Sequence, residues 1–374
     1  MGKRLLILTA GMGAGHDAVA GELERRLAPH GVEVSVVDVL DLVPLRLGHA
    51  LRRAYAGAIR SAPWLYAAIY RAFFVSRRPG PLRPPPPSPL TALIAARLQR
   101  RVRELPPDAV VSTFHVAAQA AGRLRRAGGL DAPSLVLVTD FAVHRMWLHP
   151  GNDRYLCPDK AAARAVTAAT GRPATMCAPL VPPEFRRPGV RNGRDGRDLP
   201  EGRERLRKLS GAGPDEPVVL ISAGAWGVGR VVEAAGVLSA SGRYRPVVLC
   251  GRNGHLRRRI LGTGLAPALG WRDDVAELMA GAYALVDNAA GMTCREAFAC
   301  GLPVISYRPI PGHGRDGALA MARGGLSVYA HSPAELVEAL DRLEDGALRR
   351  TRAARVDALF SAESAERTVC AALG

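Results

Sequence analysis

Short apolar runs alternate with longer amphipathic stretches along the first half of the chain. "RLLILTA" (4–10) predicts a strand, residues 17–29 a helix, and "VEVSVVDVL" (32–40) a second strand. "DAVVSTF" (108–114) and "SLVLVTDF" (134–141) follow, then the shorter "RYLCP" and "TMCAP". β-Branched runs of this length, separated by helical stretches, indicate a parallel sheet with helices on both faces. A second series begins at "PVVLISAGAWGVG" (217–229) and continues through "RPVVLCG", "YALVDNAAG" and "LPVISY". The pattern predicts an α/β protein of two Rossmann-like domains, 1–181 and 203–349, which suits a chain of 374 residues. Between them "PPEFRRPGVRNGRDGRDLPEG" (182–202) has the composition of a linker. A final helix, roughly 350–372 within the segment 350–374, could return to the first domain.

One stretch departs from the alternation. Residues 47–75, "LGHALRRAYAGAIRSAPWLYAAIYRAFFV", are helical in period and hold six of the nineteen aromatic side chains. Leu65, Ile69 and Phe73 recur at i, i+4 and i+8, as do Tyr66, Tyr70 and Phe74, so the apolar face is wide. From Leu42 to Arg103 there are twelve arginines and no Asp or Glu. "PGPLRPPPPSPL" (79–90) then forbids regular structure. Two readings are open. The stripe is core, or 42–103 is a membrane-associating segment lying on an anionic lipid surface. On the second reading Arg52, Arg53, Arg60 and Arg71 supply the charge, and Trp64, Tyr66 and Phe73 the apolar contact.

The net charge of +17 rests almost wholly on arginine, lysine standing only at 3, 160 and 208. Such a charge suits nucleic acid, an anionic membrane or acidic substrates. No recognised nucleic-acid module accompanies it, so that partner is not expected. The six cysteines form no C-x-x-C pair and no regular framework, as expected of reduced thiols in a cytosolic compartment. The apolar run at the N-terminus is too short for a signal peptide or a membrane span. The expected location is cytoplasmic, peripherally associated with the inner face of the cell membrane.

The loop "GMGAGH" (11–16) turns a strand into a helix and brings backbone N–H groups toward whatever binds above the sheet. As a dinucleotide fingerprint it lacks the third glycine at the usual offset. Asp38, ending the second strand, nevertheless stands where a ribose-binding acid would sit, so an NAD(P)-binding oxidoreductase is one alternative. A histidine at a helix start has its pKa lowered by the dipole, which leaves it neutral near pH 7 and able to accept a proton. In the second half "SAGAWGVG" (222–229) is another strand–glycine loop–helix. "DNAAGMTCREAFACGLPVI" (287–305) places Thr293 at a helix start and Glu296 in its first turn. Two such helix N-termini can hold a diphosphate, with a carboxylate nearby for ribose hydroxyls. No Asp-x-Asp occurs, so no divalent cation or other cofactor is expected.

The order of "GMGAGH", "VTDFAVHRMWLHPGNDRYLCP", "LCGRNGHL", "GWRDDVAELM" and "AAGMTCREAFACGLPVI…PGHGRDGALAM" resembles that of GT-B glycosyltransferases. It is most similar to the monogalactosyldiacylglycerol synthases and processive diacylglycerol glucosyltransferases. More distantly it resembles the transferase that adds N-acetylglucosamine to the lipid intermediate of peptidoglycan. The resemblance covers nearly the whole chain and implies a GT-B fold, two Rossmann-like domains facing a cleft. It implies inverting, metal-independent transfer from a UDP-sugar, with the donor bound by the C-terminal domain and the acceptor by the N-terminal one. It makes His16 the candidate base and puts Gly13, Gly15, His115 and Asp140 on the acceptor side. Gly224, Gly227 and Gly229 match the phosphate-side loop, and Arg252 and Asn253 the segment near the base. Trp271 to Val275 match the uracil contact, Gly291, Met292 and Thr293 the diphosphate turn, and Glu296 the ribose ligand. Pro311, Gly312 and His313 match a sugar-contacting "PGQ" segment, from which His313 and Gly317 depart. The reading that follows is a hexosyltransferase acting on a lipid or lipid-linked acceptor. A soluble transferase for a secondary metabolite and a non-catalytic nucleotide-sugar-binding protein are the alternatives.

Overall fold

The computed structural model describes residues 2–75, 83–86, 88–186 and 200–374. They fall into two compact units, Met1–Leu180 with Ser361–Gly374, and Val181–Phe360. Much of the expected linker, 187–199, lies outside the described residues, and a 3₁₀ turn (Pro183–Phe185) precedes it.

The first unit runs β1 (Arg4–Thr9), α1 (Gly15–Leu27), β2 (Glu33–Asp38), α2 (Leu47–Ser61), α3 (Pro63–Phe73) and α4 (Pro89–Glu104). It continues with β3 (Ala109–Ser112), α5 (His115–Arg126), β4 (Ser134–Leu137), β5 (Arg154–Cys157), α6 (Lys160–Thr170) and β6 (Ala174–Met176). All strand pairs are parallel, in the order β2-β1-β3-β4-β5-β6, with Ile7 opposite Val111. Leu6, Leu8 and Val110 pack with Ile94 and Leu98 of α4 and Leu124 of α5 in one core, while Val136, Trp147 and Tyr155 pack with Val166 of α6 in another. β1, β3 and β4 are buried on both faces, which explains why they read as continuous apolar runs rather than alternations.

The second unit contains α7 (Pro200–Ser210), β7 (Val218–Ser222), α8 (Val231–Ser241), β8 (Arg245–Leu249), α9 (Gly254–Thr263), β9 (Ala268–Leu269) and α10 (Val275–Gly281). It goes on through β10 (Ala284–Asp287), α11 (Met292–Ala299), β11 (Val304–Tyr307), α12 (His313–Arg323), β12 (Ser327–Ala330), α13 (Pro333–Asp341) and α14 (Gly346–Phe360). Its parallel order is β12-β11-β10-β7-β8-β9, with Val286 opposite Ile221.

Each sheet has one place where the chain reverses its direction of winding. In the first unit it lies between β1 and β3, and in the second between β7 and β10. Loops leaving the carboxyl ends of such a pair diverge to opposite faces and open a crevice there, where ligands of α/β proteins bind.

Three elements differ from the periodicity. The helical stretch 47–75 is two helices, because Pro63 lacks the N–H that would continue α2 and instead occupies the first turn of α3. The last helix is also two: α14 ends at Phe360 and a final helix, α15 (Ala365–Leu373), packs in the first unit. The expected strand 134–141 stops at Leu137, and the rest forms a loop.

Candidate functional sites at the two switch points

In the first unit the loop after β1 makes its turn at Gly13, whose φ of +107° disfavours a side chain, and Gly15 opens α1. His16 therefore stands in the first turn of α1, beside the end of β3. Its Nδ1 lies 3.0 Å from the Thr113 carbonyl oxygen and 2.9 Å from Thr139 Oγ1. A carbonyl only accepts, so this contact places a proton on Nδ1, and in the neutral ring Nε2 then holds the lone pair. Thr139, just past β4, was not singled out from the sequence. Its signal was positional: it leaves a strand beside the one that ends at Thr113.

The glycine loop is fixed from β2. Asp38 Oδ2 accepts the Gly11 N–H at 2.7 Å and pairs with Arg52 at 2.5 Å, while Oδ1 accepts from Leu40 N–H. Arg52 also pairs with Asp41 at 2.9 Å. These contacts correct two expectations. Asp38 is occupied as a clamp on the loop rather than offered to a ribose. Arg52 answers acids that precede the acid-free segment rather than a lipid surface. Asp17, in the same turn, accepts from Thr9 Oγ1 at 3.0 Å, and burial raises its pKa despite that bond.

His115 begins α5 next to Phe114, and the rings follow one another from His16 to Phe114 (5.1 Å), His115 (4.2 Å) and His144 (5.3 Å). Asp140 stands beside His144 and accepts the Trp147 indole N–H at 2.7 Å. Gln119 holds this loop by donating to the carbonyls of Met146 and Leu148. His16, His115 and Asp140 are thus gathered at the carboxyl ends of β1, β3 and β4.

In the second unit three loops converge on one residue. Asn288 Nδ2 donates to the Val228 carbonyl at 2.9 Å, and the Asn288 carbonyl accepts from Ile310 N–H at 2.8 Å. The loop after β7, the turn after β10 and the loop after β11 are thereby joined. Gly224, Gly227 and Gly229 lie in the first of these. Gly229, at φ +95°, has no room for a Cβ because the Asn288 amide fills that space. Asp287 shapes the turn by accepting from Ala289 and Ala290 N–H at 2.9 and 2.6 Å. Gly291 then caps α11, so Met292 and Thr293 present its first turn. Gly312, at φ +78°, likewise precedes His313 at the start of α12.

Glu296 lies in α11, and its carboxyl is pushed up to about 7, first by burial and then by the neighbouring Glu184. The Arg252 guanidinium stacks 3.7 Å over the Trp271 ring, which remains 48% exposed. The Asn253 side chain is spent internally: Nδ2 donates to the Gly227 carbonyl, and Oδ1 caps α9 by accepting from Leu256 N–H. Val275 begins α10 behind Asp274, which pairs with Arg272 and Arg205. Among the described residues no three His, Cys, Asp or Glu side chains are grouped as a metal site.

The two stripes of α3 part company. Trp64 and Phe73 are 72% and 61% exposed, with Leu65 and Ile69 also exposed, whereas Tyr66 is 2% exposed and Tyr70 is buried. Tyr66 therefore belongs to the core, where its hydroxyl accepts from Tyr55 at 3.3 Å, and not to a lipid contact. Arg53, Arg60 and Arg71 lie exposed on α2 and α3. No helix among the described residues is long and apolar enough to cross a membrane.

Comparison with known proteins agrees with this geometry. Residues 16–176 match the monogalactosyldiacylglycerol (MGDG) synthase family. Processive diacylglycerol β-glucosyltransferases of Bacillus pumilus and Bacillus cereus are 25% and 26% identical over 360 and 357 residues. The matches cover 91% and 89% of this chain and 86% and 83% of theirs. The MurG structure of Acinetobacter baumannii superposes with a TM-score of 0.62 at 14% identity, covering 99% of each chain. Anabaena HepE, solved with UDP-glucose, gives 0.56 at 14% identity, covering 99% of this chain and 98% of its own. Two parallel sheets with a loop site at each switch point give the GT-B fold that these glycosyltransferases share. Residues 16–176 resemble the monogalactosyldiacylglycerol synthases, and the chain resembles the processive diacylglycerol glucosyltransferases along most of its length.

Proposed function

We propose that the protein is an inverting transferase that moves a hexose from a UDP-sugar to the hydroxyl of a diacylglycerol-type acceptor at the inner membrane face. The observation that carries this reading is the place of His16, whose Nδ1 lies 3.0 Å from the Thr113 carbonyl oxygen. With Nδ1–H held by the Thr113 carbonyl, Nε2 is the atom that can take the acceptor's proton. The acceptor oxygen attacks C1 of the sugar as that proton leaves. The bond from C1 to the β-phosphate oxygen breaks on the opposite face, and UDP departs with the electron pair. Amides of the 224–229 loop and the first turn of α11 would meet the diphosphate charge without a metal. Glu296 would accept the ribose hydroxyls, the Arg252–Trp271 pair and the 271–275 segment would lie at the uracil, and Gly312 and His313 at the sugar.

The exposed stripe Trp64, Leu65, Ile69 and Phe73, beside Arg53, Arg60 and Arg71, supports a lipid rather than a soluble acceptor. Incubation with a panel of UDP-hexoses, with and without diacylglycerol, tests the proposal. UDP release that requires the lipid is the expected result; release driven equally well by water or a soluble alcohol overturns the lipid acceptor.

A further inference from the structure

The loop after β4 carries a histidine that the proposed transfer leaves unused. His144 is 6% exposed, and its Nε2 lies 3.2 Å from Asp140 Oδ2, the oxygen that also accepts from Trp147. Its other ring nitrogen, Nδ1, is buried and has no hydrogen-bond partner among the described residues. Its ring neighbours are Phe74 at 4.8 Å, His115 at 5.3 Å, Trp147 at 6.0 Å and Tyr70 at 6.3 Å. A buried polar atom left unpaired costs free energy and calls for a ligand or a function.

The surroundings restrict that ligand. A hydroxyl satisfies Nδ1 in either protonation state, donating to a lone pair or accepting from an N–H. An anion is opposed by the Asp140 carboxylate against the same ring. The aromatic enclosure favours an apolar body behind the hydroxyl. We propose that His144 Nδ1 is the docking point for the free hydroxyl of a neutral lipid alcohol before transfer. Phe74 is the cover that moves aside, since it lies edge-on to both His144 and His115. Phe74, half-buried, continues the Tyr66–Tyr70 stripe just past the end of α3, whose opposite stripe is exposed, so the cover adjoins the helix proposed to meet the lipid. From His144 the rings of His115 and Phe114 lead to His16. The inference rests on the lipid-acceptor reading and adds to it a residue that selects a neutral alcohol over a phosphorylated lipid.

The test is lipid binding to the full chain without any sugar donor. Dihexanoylglycerol is titrated into protein labelled with ¹⁵N at histidine, and dihexanoyl phosphatidic acid is the anionic arm. The expected results are a shift of the His144 ring nitrogens by dihexanoylglycerol and weaker binding of the phosphatidic acid. His144→Phe should bind dihexanoylglycerol about tenfold less tightly, His144→Gln should recover part of the loss, and UDP affinity should not change. In turnover the same substitution should raise KM for the lipid more than it lowers kcat. Should His144→Phe not fold, the parent protein decides: an unmoved His144 resonance at saturating dihexanoylglycerol overturns the inference. Equal binding by His144→Phe, or preference for the phosphatidic acid, also overturns it. Failure of the parent to bind dihexanoylglycerol at all removes the lipid-acceptor reading itself.

Discussion

The roles proposed for His16 and Glu296 fall one in each unit, and each side chain is set by neighbours distant in sequence. Glu296 is held near neutrality by burial and Glu184, whereas its proposed role requires the ionised form. UDP affinity should therefore rise as pH increases through about 7, with proton release on binding near that pH. The sign follows because the carboxylate accepts at both oxygens and more strongly than the protonated acid, so hydroxyls donating to it lower the raised pKa on binding. Calorimetry in buffers of different ionisation heat checks this, with Glu296→Gln as reference for the titration of UDP itself. Glu296→Ala should weaken UDP by about 1.5–3 kcal/mol, and unchanged affinity would contradict its assignment. Arg52→Gln should cost stability rather than lipid binding, about 1–3 kcal/mol in chemical denaturation, because it leaves Asp38 underpaired beneath Gly11. The glycines and His16 could be read from the sequence as a loop. The partners Thr113, Thr139 and Arg52 could not, because strand order brings the first two there and the packing of α2 beside β2 the third.

Among the elements, α3 shows what periodicity can and cannot decide. Two stripes spaced i, i+4, i+8 look alike as sequence, yet Tyr66, Tyr70 and Phe74 turn inward while Leu65, Ile69 and Phe73 turn outward. The core reading holds for the Tyr66 stripe, while the other stripe is exposed, as the interface reading requires. Only packing against α2 and the histidine loop tells them apart. Trp64→Ser with Phe73→Ser should leave the fold intact and reduce sedimentation with anionic vesicles. Arg53→Gln with Arg71→Gln should do so most at low salt, since each basic residue near such a surface is worth about 1 kcal/mol. Tyr66→Ala should instead destabilise the fold by about 3 kcal/mol or more, as for other large buried rings. A parent protein that ignores anionic vesicles at low salt would contradict the interfacial role of α3.

Over the whole molecule the two sheets repeat one plan, and the repeat was legible because buried parallel strands leave continuous apolar runs. The ends of helices were less so: α14 and α15 read as one stretch because no proline separates them. The break matters, since α15 returns to the first unit. There Val369 and Leu373 are buried, and Arg26 links Glu366 to the buried Glu22. Burial pushes the Glu22 carboxyl up, but hydrogen bonds from Arg25 and Arg26 hold it below its ordinary value. Its contribution is present above about pH 4.5 and is lost as pH falls further. Leu373→Ala should cost about 2 kcal/mol or more in thermal or chemical unfolding without altering UDP affinity.

The central claim is that His16 takes a proton from a lipid hydroxyl while a UDP-hexose is consumed. The direct measurement is passage of label from each of several UDP-[¹⁴C]hexoses into a chloroform-soluble product in the presence of diacylglycerol, for the parent and for His16→Ala. The account expects label in the organic phase for the parent with at least one hexose. It expects a loss of about a hundredfold or more in His16→Ala, with UDP affinity nearly intact. Label that stays in water with every UDP-hexose, or a His16→Ala enzyme that transfers as fast as the parent, would contradict it.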